Sequence, residues 1–255
     1  MNYWIEARPV NEVESCGDFA KCFDVAPDRR AIIVGDIAGR GTATGDGASA
    51  LCAFVHRLIA RCVPLTETMW AASDFFTRAV LDDATPFASL FVAVADLRQG
   101  LIHYASAGHE PGLLFNGDAT AHQHCNPTGP VLGLRAPTSA FGEHTFPLFR
   151  DSFLVVVTDG ITEARRRDGD RLSFFGSGGV ARAVRDAVLH RRDPAREIHR
   201  AAVQHAGGRL SDDACVVVSS LSFPNRVRLR PTIDDRDDLH YLLAAHEGRP
   251  PSLSS

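Results

Sequence analysis

The chain has 255 residues, 45% apolar and 23% charged, with 27 basic and 31 acidic side chains and a formal net charge of −4. That balance belongs to a globular protein of one large domain or two small ones, and excludes wholesale disorder, a coiled coil and the basic surface that a phosphate backbone demands. No apolar run approaches the ~20 residues of a membrane span, and no basic-then-apolar leader opens the chain, so neither nucleic acid nor membrane is expected as a partner and a cytoplasmic location is.

Strand patterns come first, at 4–8 and 30–34. A glycine-rich stretch from Gly39 to Gly47 then opens a helix burying Leu51, Val55, Leu58 and Ile59 on one face and stopped by Pro64. A second helix is predicted over 66–81. The middle is β-rich, with 90–95, 101–105 and 112–115 read as a meander and Asn116-Gly117 as a two-residue type I′ hairpin signal. The run 153–157 is apolar enough for a strand covered on both faces. Helices follow at 177–189 and from Asp193 as N-cap, with Pro194 at the first position, to Gly207-Gly208. A late strand covers 215–221. Grouped strands and paired helices, without steady β-α alternation, point to an α+β layered sandwich with antiparallel sheets. Beyond residue 222 the character changes. Arg226, Arg228 and Arg230 alternate with apolar residues, and 234–247 could form an amphipathic helix. Residues 1–222 are therefore read as the main domain and 223–255 as an appendage of strand plus helix. The six cysteines show no CxxC pair and read as free thiols, which also disfavours zinc.

Aspartates recur at strand ends. Asp36 closes one apolar strand before glycine-rich chain, Asp159 closes another, Asp212 and Asp213 precede a third, and Asp18 sits beside Gly17 at a strand start. One Asp-Gly after a strand is commonly a turn. Several such carboxylates sharing one core would repel one another and resist ionisation, and the natural cure is a hard divalent cation, Mg²⁺ or Mn²⁺, with two ions plausible. Glycines beside them would let water and substrate approach the backbone. Rival motifs fail: 39–45 is out of step with GxGxxG, no GxxxxGK[ST] exists, and Phe175 spoils GxSxG around Ser177. His109 is expected to hold a hydrogen-bonded structural place in a turn. The run Arg165, Arg166, Arg167 is either a solvated loop or a contact for phosphate or an acidic partner.

These blocks resemble the SpoIIE-type branch of the PP2C-like (PPM) metal-dependent protein serine/threonine phosphatases. Residues 16–19 (CGDF) are similar to the family's GGDF, 35–41 (GDIAGRG) to GDxSGKG, 106–111 (SAGHEP) to NAGHPP, 129–133 (GPVLG) to GxxLG, 158–164 (TDGITEA) to TDGVTEA, and Asp212-Asp213 to the closing DD block. Six short blocks in order make the resemblance specific. It implies a four-layer αββα sandwich, two antiparallel sheets flanked by helix pairs. It also implies a centre of two Mn²⁺ or Mg²⁺ ions. Asp36 would bridge them and the Ile37 carbonyl would ligate one. Asp18 would complete one shell, and Asp159 and Asp212, with Asp213 beside it, the other; Asp36 and Asp159 carry the catalytic weight. Cys16, Lys21 and Ala38 depart from the family pattern, Ala38 standing where eukaryotic relatives carry a general-acid histidine.

The activity so implied is removal of phosphate from phosphoserine or phosphothreonine of a partner protein, expected to be a STAS-type anti-sigma-factor antagonist, by metal-activated water. The alternatives are a non-catalytic phosphoprotein-binding module and a small-molecule phosphohydrolase. Arg40, Arg165, Arg166 and Arg167 are the expected substrate contacts. The resemblance begins almost at Met1, so regulation is expected from a separate chain or from the two helices after Gly41.

Overall fold

The apolar runs of the sequence become strands with no solvent face. The computed structural model describes residues 3–8, 16–39, 41–80, 87–134, 140–168 and 171–222. In chain order its elements are β1 (Tyr3–Arg8), β2 (Asp18–Ala26), β3 (Arg29–Ile37), α1 (Thr42–Ala60), α2 (Leu65–Ala79), β4 (Ala88–Asp96), β5 (Leu101–Ala107), β6 (Gly112–Phe115), β7 (His122–Cys125), β8 (His144–Pro147), β9 (Phe153–Val157), α3 (Asp159–Thr162), β10 (Arg165–Asp168), β11 (Arg171–Phe174), α4 (Gly176–Leu189), α5 (Pro194–His205) and β12 (Ala214–Ser220). One antiparallel sheet runs β1-β12-β9-β6-β7, the other β2-β3-β4-β5-β8, and β10 and β11 make a separate hairpin.

Three apolar cores separate four layers. On β3, Ala31 and Ile33 face α1 and α2, where Leu51, Val55, Met69 and Phe76 meet them. Ile32 and Val34, one residue out of phase, pack between the sheets against Leu154, Val156 and Val217. On β9, Phe153, Val155 and Val157 turn instead toward Val180, Val184 and Ile198 of α4 and α5. Period-2 alternation that exchanges one core for another reads in sequence as an unbroken apolar run, and both central strands are such runs. The expected αββα sandwich is the observed architecture.

Several expectations change in detail. The meander breaks after β5: Gly108 takes a positive φ of 62°, and β6 pairs with β9 in the other sheet. The Asn116-Gly117 hairpin exists, but its connection is longer than two residues. The Asn116 carbonyl accepts from the Ala119 N–H at 3.0 Å, and the left-handed residue is Ala119, φ 57°. Helix α1 begins at Thr42, inside the glycine-rich stretch, with Gly41 at its N-cap; Gly47 lies inside the helix, closely packed on Val80. The cap of α5 is as expected, with the Asp193 carboxylate accepting from the Ala195 and Arg196 N–H groups at 2.9 and 3.3 Å. All six cysteines are free. Arg40 and the appendage 223–255 lie outside the described residues.

Candidate active site

At one end of the sandwich the two sheets part. In the first layer, β2 and β3 pair so that Asp18 stands directly opposite Asp36. In the second, Asp159 follows β9 as the first residue of α3, and Asp212 and Asp213 precede β12, which is hydrogen-bonded to β9. The five side chains, with Ile37, line one cleft of about 320 Å³ whose other walls are Gly17, Ala38, Gly39 and Phe87. Every sequence-predicted metal residue is therefore in one place.

Glycines make this closeness possible, in a way the sequence did not suggest. A Cβ at Gly17 would stand 2.5 Å from the Ile37 carbonyl oxygen and 3.0 Å from an Asp36 carboxylate oxygen, and one at Gly160 would collide with the Asp213 carbonyl. The missing side chains admit the protein's own backbone, drawing the strand ends together.

The electrostatics are those of crowded like charges. Burial, then Asp159 and Asp212, push the Asp36 carboxyl up to about 7. Asp18 is held well above the ordinary carboxylate range by burial and by Asp36. Asp159 is raised by burial, then by Asp212 and Glu163. Among the described residues no three His, Cys, Asp or Glu side chains are gathered tightly enough to hold an ion as they stand. The donor set nonetheless fits divalent cations: it is all oxygen, it converges on one cleft from two sheets, and its mutual repulsion is relieved by positive charge.

Thr158 is the residue that sequence reasoning passed over. Fully buried, its hydroxyl donates to the Asp18 carboxylate at 2.7 Å and accepts from the Cys215 N–H at 2.9 Å. It thus ties Asp18, a candidate ligand on the first sheet, to β12 of the second, and its donated bond counteracts the rise at Asp18. A hydroxyl at a strand end carries no sequence signal for this. Phe87, 46% exposed, is the cleft's large apolar wall and was likewise unforeseen.

Other expectations resolve as follows. His109 is buried, bonded through Nδ1 to the Ser89 hydroxyl at 2.7 Å, and lowered by burial to about 4; it is a neutral structural group outside the cleft lining. Lys21 lies near Cys52 and His56 of α1 and does not line the cleft. The run Arg165, Arg166, Arg167 is no loop: it forms β10, with all three side chains exposed.

The profile of the family described as Stage II sporulation protein E (SpoIIE) matches residues 26–222. The chain belongs to the SpoIIE family. "Protein IcfG" of Synechocystis sp. is 28% identical over 189 residues, 63% of this chain and 28% of that protein. "Phosphoserine phosphatase RsbU" of Bacillus subtilis is 32% identical over 89 residues, 34% of this chain and 26% of its own length. Matched segments thus span little more than a quarter of these curated relatives. The PP2C phosphatase domain of SpoIIE from Bacillus subtilis, solved with a fragment of its regulatory domain, superposes with a TM-score of 0.70 at 14% identity, covering 85% of this chain and 62% of that one. The SpoIIE-family fold is accordingly that of PP2C-like phosphatases.

Proposed function

We propose that this SpoIIE-family chain is a protein serine/threonine phosphatase, hydrolysing phosphoserine or phosphothreonine on a partner protein of the STAS anti-sigma-antagonist class. The observation that carries this reading is the single cleft in which Asp18 and Asp36 of one sheet face Asp159, Asp212 and Asp213 of the other. These five and the Ile37 carbonyl would hold two divalent cations, Mn²⁺ or Mg²⁺. When bound, such ions supply an activated water nucleophile and neutralise charge on the transferring phosphoryl group.

The chain's own contribution is placement. Asp36 and Asp159 face one another across the seam between the sheets, the position for the catalytic pair. Thr158 orients Asp18 through its 2.7 Å bond, and Phe87 offers an apolar surface beside the cleft. Ala38 has no ionisable group, and the described lining contains no imidazole to protonate a leaving alkoxide. The unit proposed to do this is residues 1–222, with 223–255 an appendage, in the cytoplasm. No described helix is long and apolar enough to cross a membrane.

A phosphoprotein substrate is favoured over a metabolite by the lining. At about 320 Å³ the cleft is at the small end of ligand sites, and among the described residues its lining is mostly carboxylates and glycines, with Phe87 the exposed large apolar side chain. It can take a phosphoryl group but offers little to grip a metabolite's body. A non-catalytic phosphoprotein-binding role is the second reading, favoured by the absence of a tight ligand cluster among the described residues. The deciding experiment is hydrolysis of p-nitrophenyl phosphate and of phosphoserine peptides by the purified chain, with and without Mn²⁺. Metal-dependent turnover supports the phosphatase; binding of phosphopeptide with no turnover under any metal supports the second reading.

A further inference from the structure

The hairpin β10–β11 sorts the basic run by register. Arg165 pairs with Phe174, Arg166 with Ser173 and Arg167 with Leu172. Directly opposed residues of an antiparallel pair share a face, and neighbours along a strand alternate. One face therefore presents Arg165, Arg167, Leu172 and Phe174 together; the other presents Arg166 and Ser173. Leu172 and Phe174 are 49% and 54% exposed. Two large apolar side chains left in water, interleaved with two cations, make a surface suited to a complementary partner.

The hairpin is fixed at its base. The Phe175 N–H donates to the Ala164 carbonyl at 2.9 Å, Phe175 and Ala164 are buried in the α4–α5 core, and the Ser173 carbonyl lies 3.2 Å from His205 Nε2 of α5. Strands anchored at their base spend less ordering entropy on binding than a loop would. The hairpin also stands close to the cleft. Between Asp159 and Arg165 lie one turn of α3 and three further steps of chain, a span of at most roughly 16 Å. A partner footprint of about 800 Å² is close to 30 Å across, so a protein seated on the cleft reaches the base of the hairpin.

Resting on the phosphatase reading above, we propose that the Arg165–Arg167–Leu172–Phe174 face docks the substrate protein, and that it selects a surface carrying both acidic and apolar side chains beside the phosphoserine. The arginines meet carboxylates by charge-assisted bonds while Leu172 and Phe174 are covered by apolar side chains. Arg166, on the opposite face, takes no part.

The test uses the full chain and two synthetic phosphoserine peptides of equal length. At about 3.3 Å per extended residue the docking positions lie about four to eight residues from the phosphoserine on either side. One peptide carries Glu and Leu there, the other Lys and Ser. Hydrolysis with Mn²⁺ gives kcat/KM, and fluorescence anisotropy gives affinity independently of turnover. We expect the wild-type chain to prefer the acidic-apolar peptide by about tenfold in both readouts, the sum of a few exposed contacts. Arg165→Glu/Arg167→Glu should invert the preference, Leu172→Ser/Phe174→Ser should shrink it, and Arg166→Glu should leave the ratio in place. Turnover of both peptides without preference, or an equal effect of Arg166→Glu, overturns the docking face and leaves the phosphatase reading standing. Preference in affinity with no turnover overturns the phosphatase reading and keeps the face. Self-association in sedimentation that Leu172→Ser/Phe174→Ser abolishes, with no change in peptide preference, makes the face an interface between copies and overturns the proposal.

Discussion

Asp18 and Asp36 are direct cross-strand partners at the cleft end of the β2–β3 pair. Asp18 is raised by burial and by the Asp36 charge; Asp36 is raised by burial and by Asp159 and Asp212, while a hydrogen bond from Asp18 partly offsets its rise. Gathering so many buried carboxylates is costly for the fold, and bound positive charge would relieve the cost.

Replacing Asp36 by asparagine keeps shape and removes charge. Turnover should fall by at least about a hundredfold, because the charge is lost from the centre of the ligand set. Thermal stability of the cation-free chain should rise, and the further stabilisation by added Mn²⁺ should shrink. Calorimetry with and without Mn²⁺, beside an ester assay, reads all three; an Asp36→Asn chain with wild-type turnover would remove Asp36 from the site.

The same carboxylate sets a pH dependence. Its pKa is raised from 3.8 to about 7 on folding. A raised group contributes stability that is fully present below the unfolded value and lost as pH rises through the folded one. The cation-free chain should therefore lose stability relative to Asp36→Asn as pH rises from about 4 to about 7, with no further loss above that. Asp18 and Asp159 shift in the same direction. Denaturant melts of both chains at the two pH values, repeated in excess Mg²⁺, should show the gap open and then close again.

Thr158 predicts a split between two conservative changes. Valine removes the donor to Asp18 and orphans the buried Cys215 N–H, costing about 1–3 kcal/mol. Serine keeps both bonds. Calorimetric titration with Mn²⁺ should show several-fold weaker binding for Thr158→Val and near-native binding for Thr158→Ser. Equal affinities in the two variants would reduce Thr158 to a packing role.

Chelation gives the broadest check. Excess EDTA should abolish hydrolysis, and dialysis into Mn²⁺ or Mg²⁺ should restore it. Undiminished turnover in EDTA would leave the carboxylate cleft without a catalytic purpose.

The convergence of the aspartates on one cleft was legible because each ends or begins an apolar run, and such runs are hard to place anywhere except a core. β3, β9 and β12 declared themselves this way. Edge and surface strands did not. His122–Cys125, His144–Pro147 and Arg165–Asp168 lack a second covered face, so nothing in their composition enforces alternation. The six pairs of the β1–β12 register join the beginning and the end of the described chain, a relationship no local pattern encodes. Thr158 was invisible for a related reason: its partner is 140 residues away.

The cleft is a seam, since its carboxylates come from two different sheets, held together by a shared apolar layer and by a few polar bonds such as that of Thr158 to Asp18. A ligand gripping both sides cannot be retained while either sheet is detached. Its occupancy should therefore slow hydrogen exchange most at the slowest-exchanging amides, those of β3, β4, β9 and β12, which open only when the whole sandwich comes apart. Protection spread through the centre of the protein, and not confined to the loops around the cleft, would mark the ion as a rivet between halves.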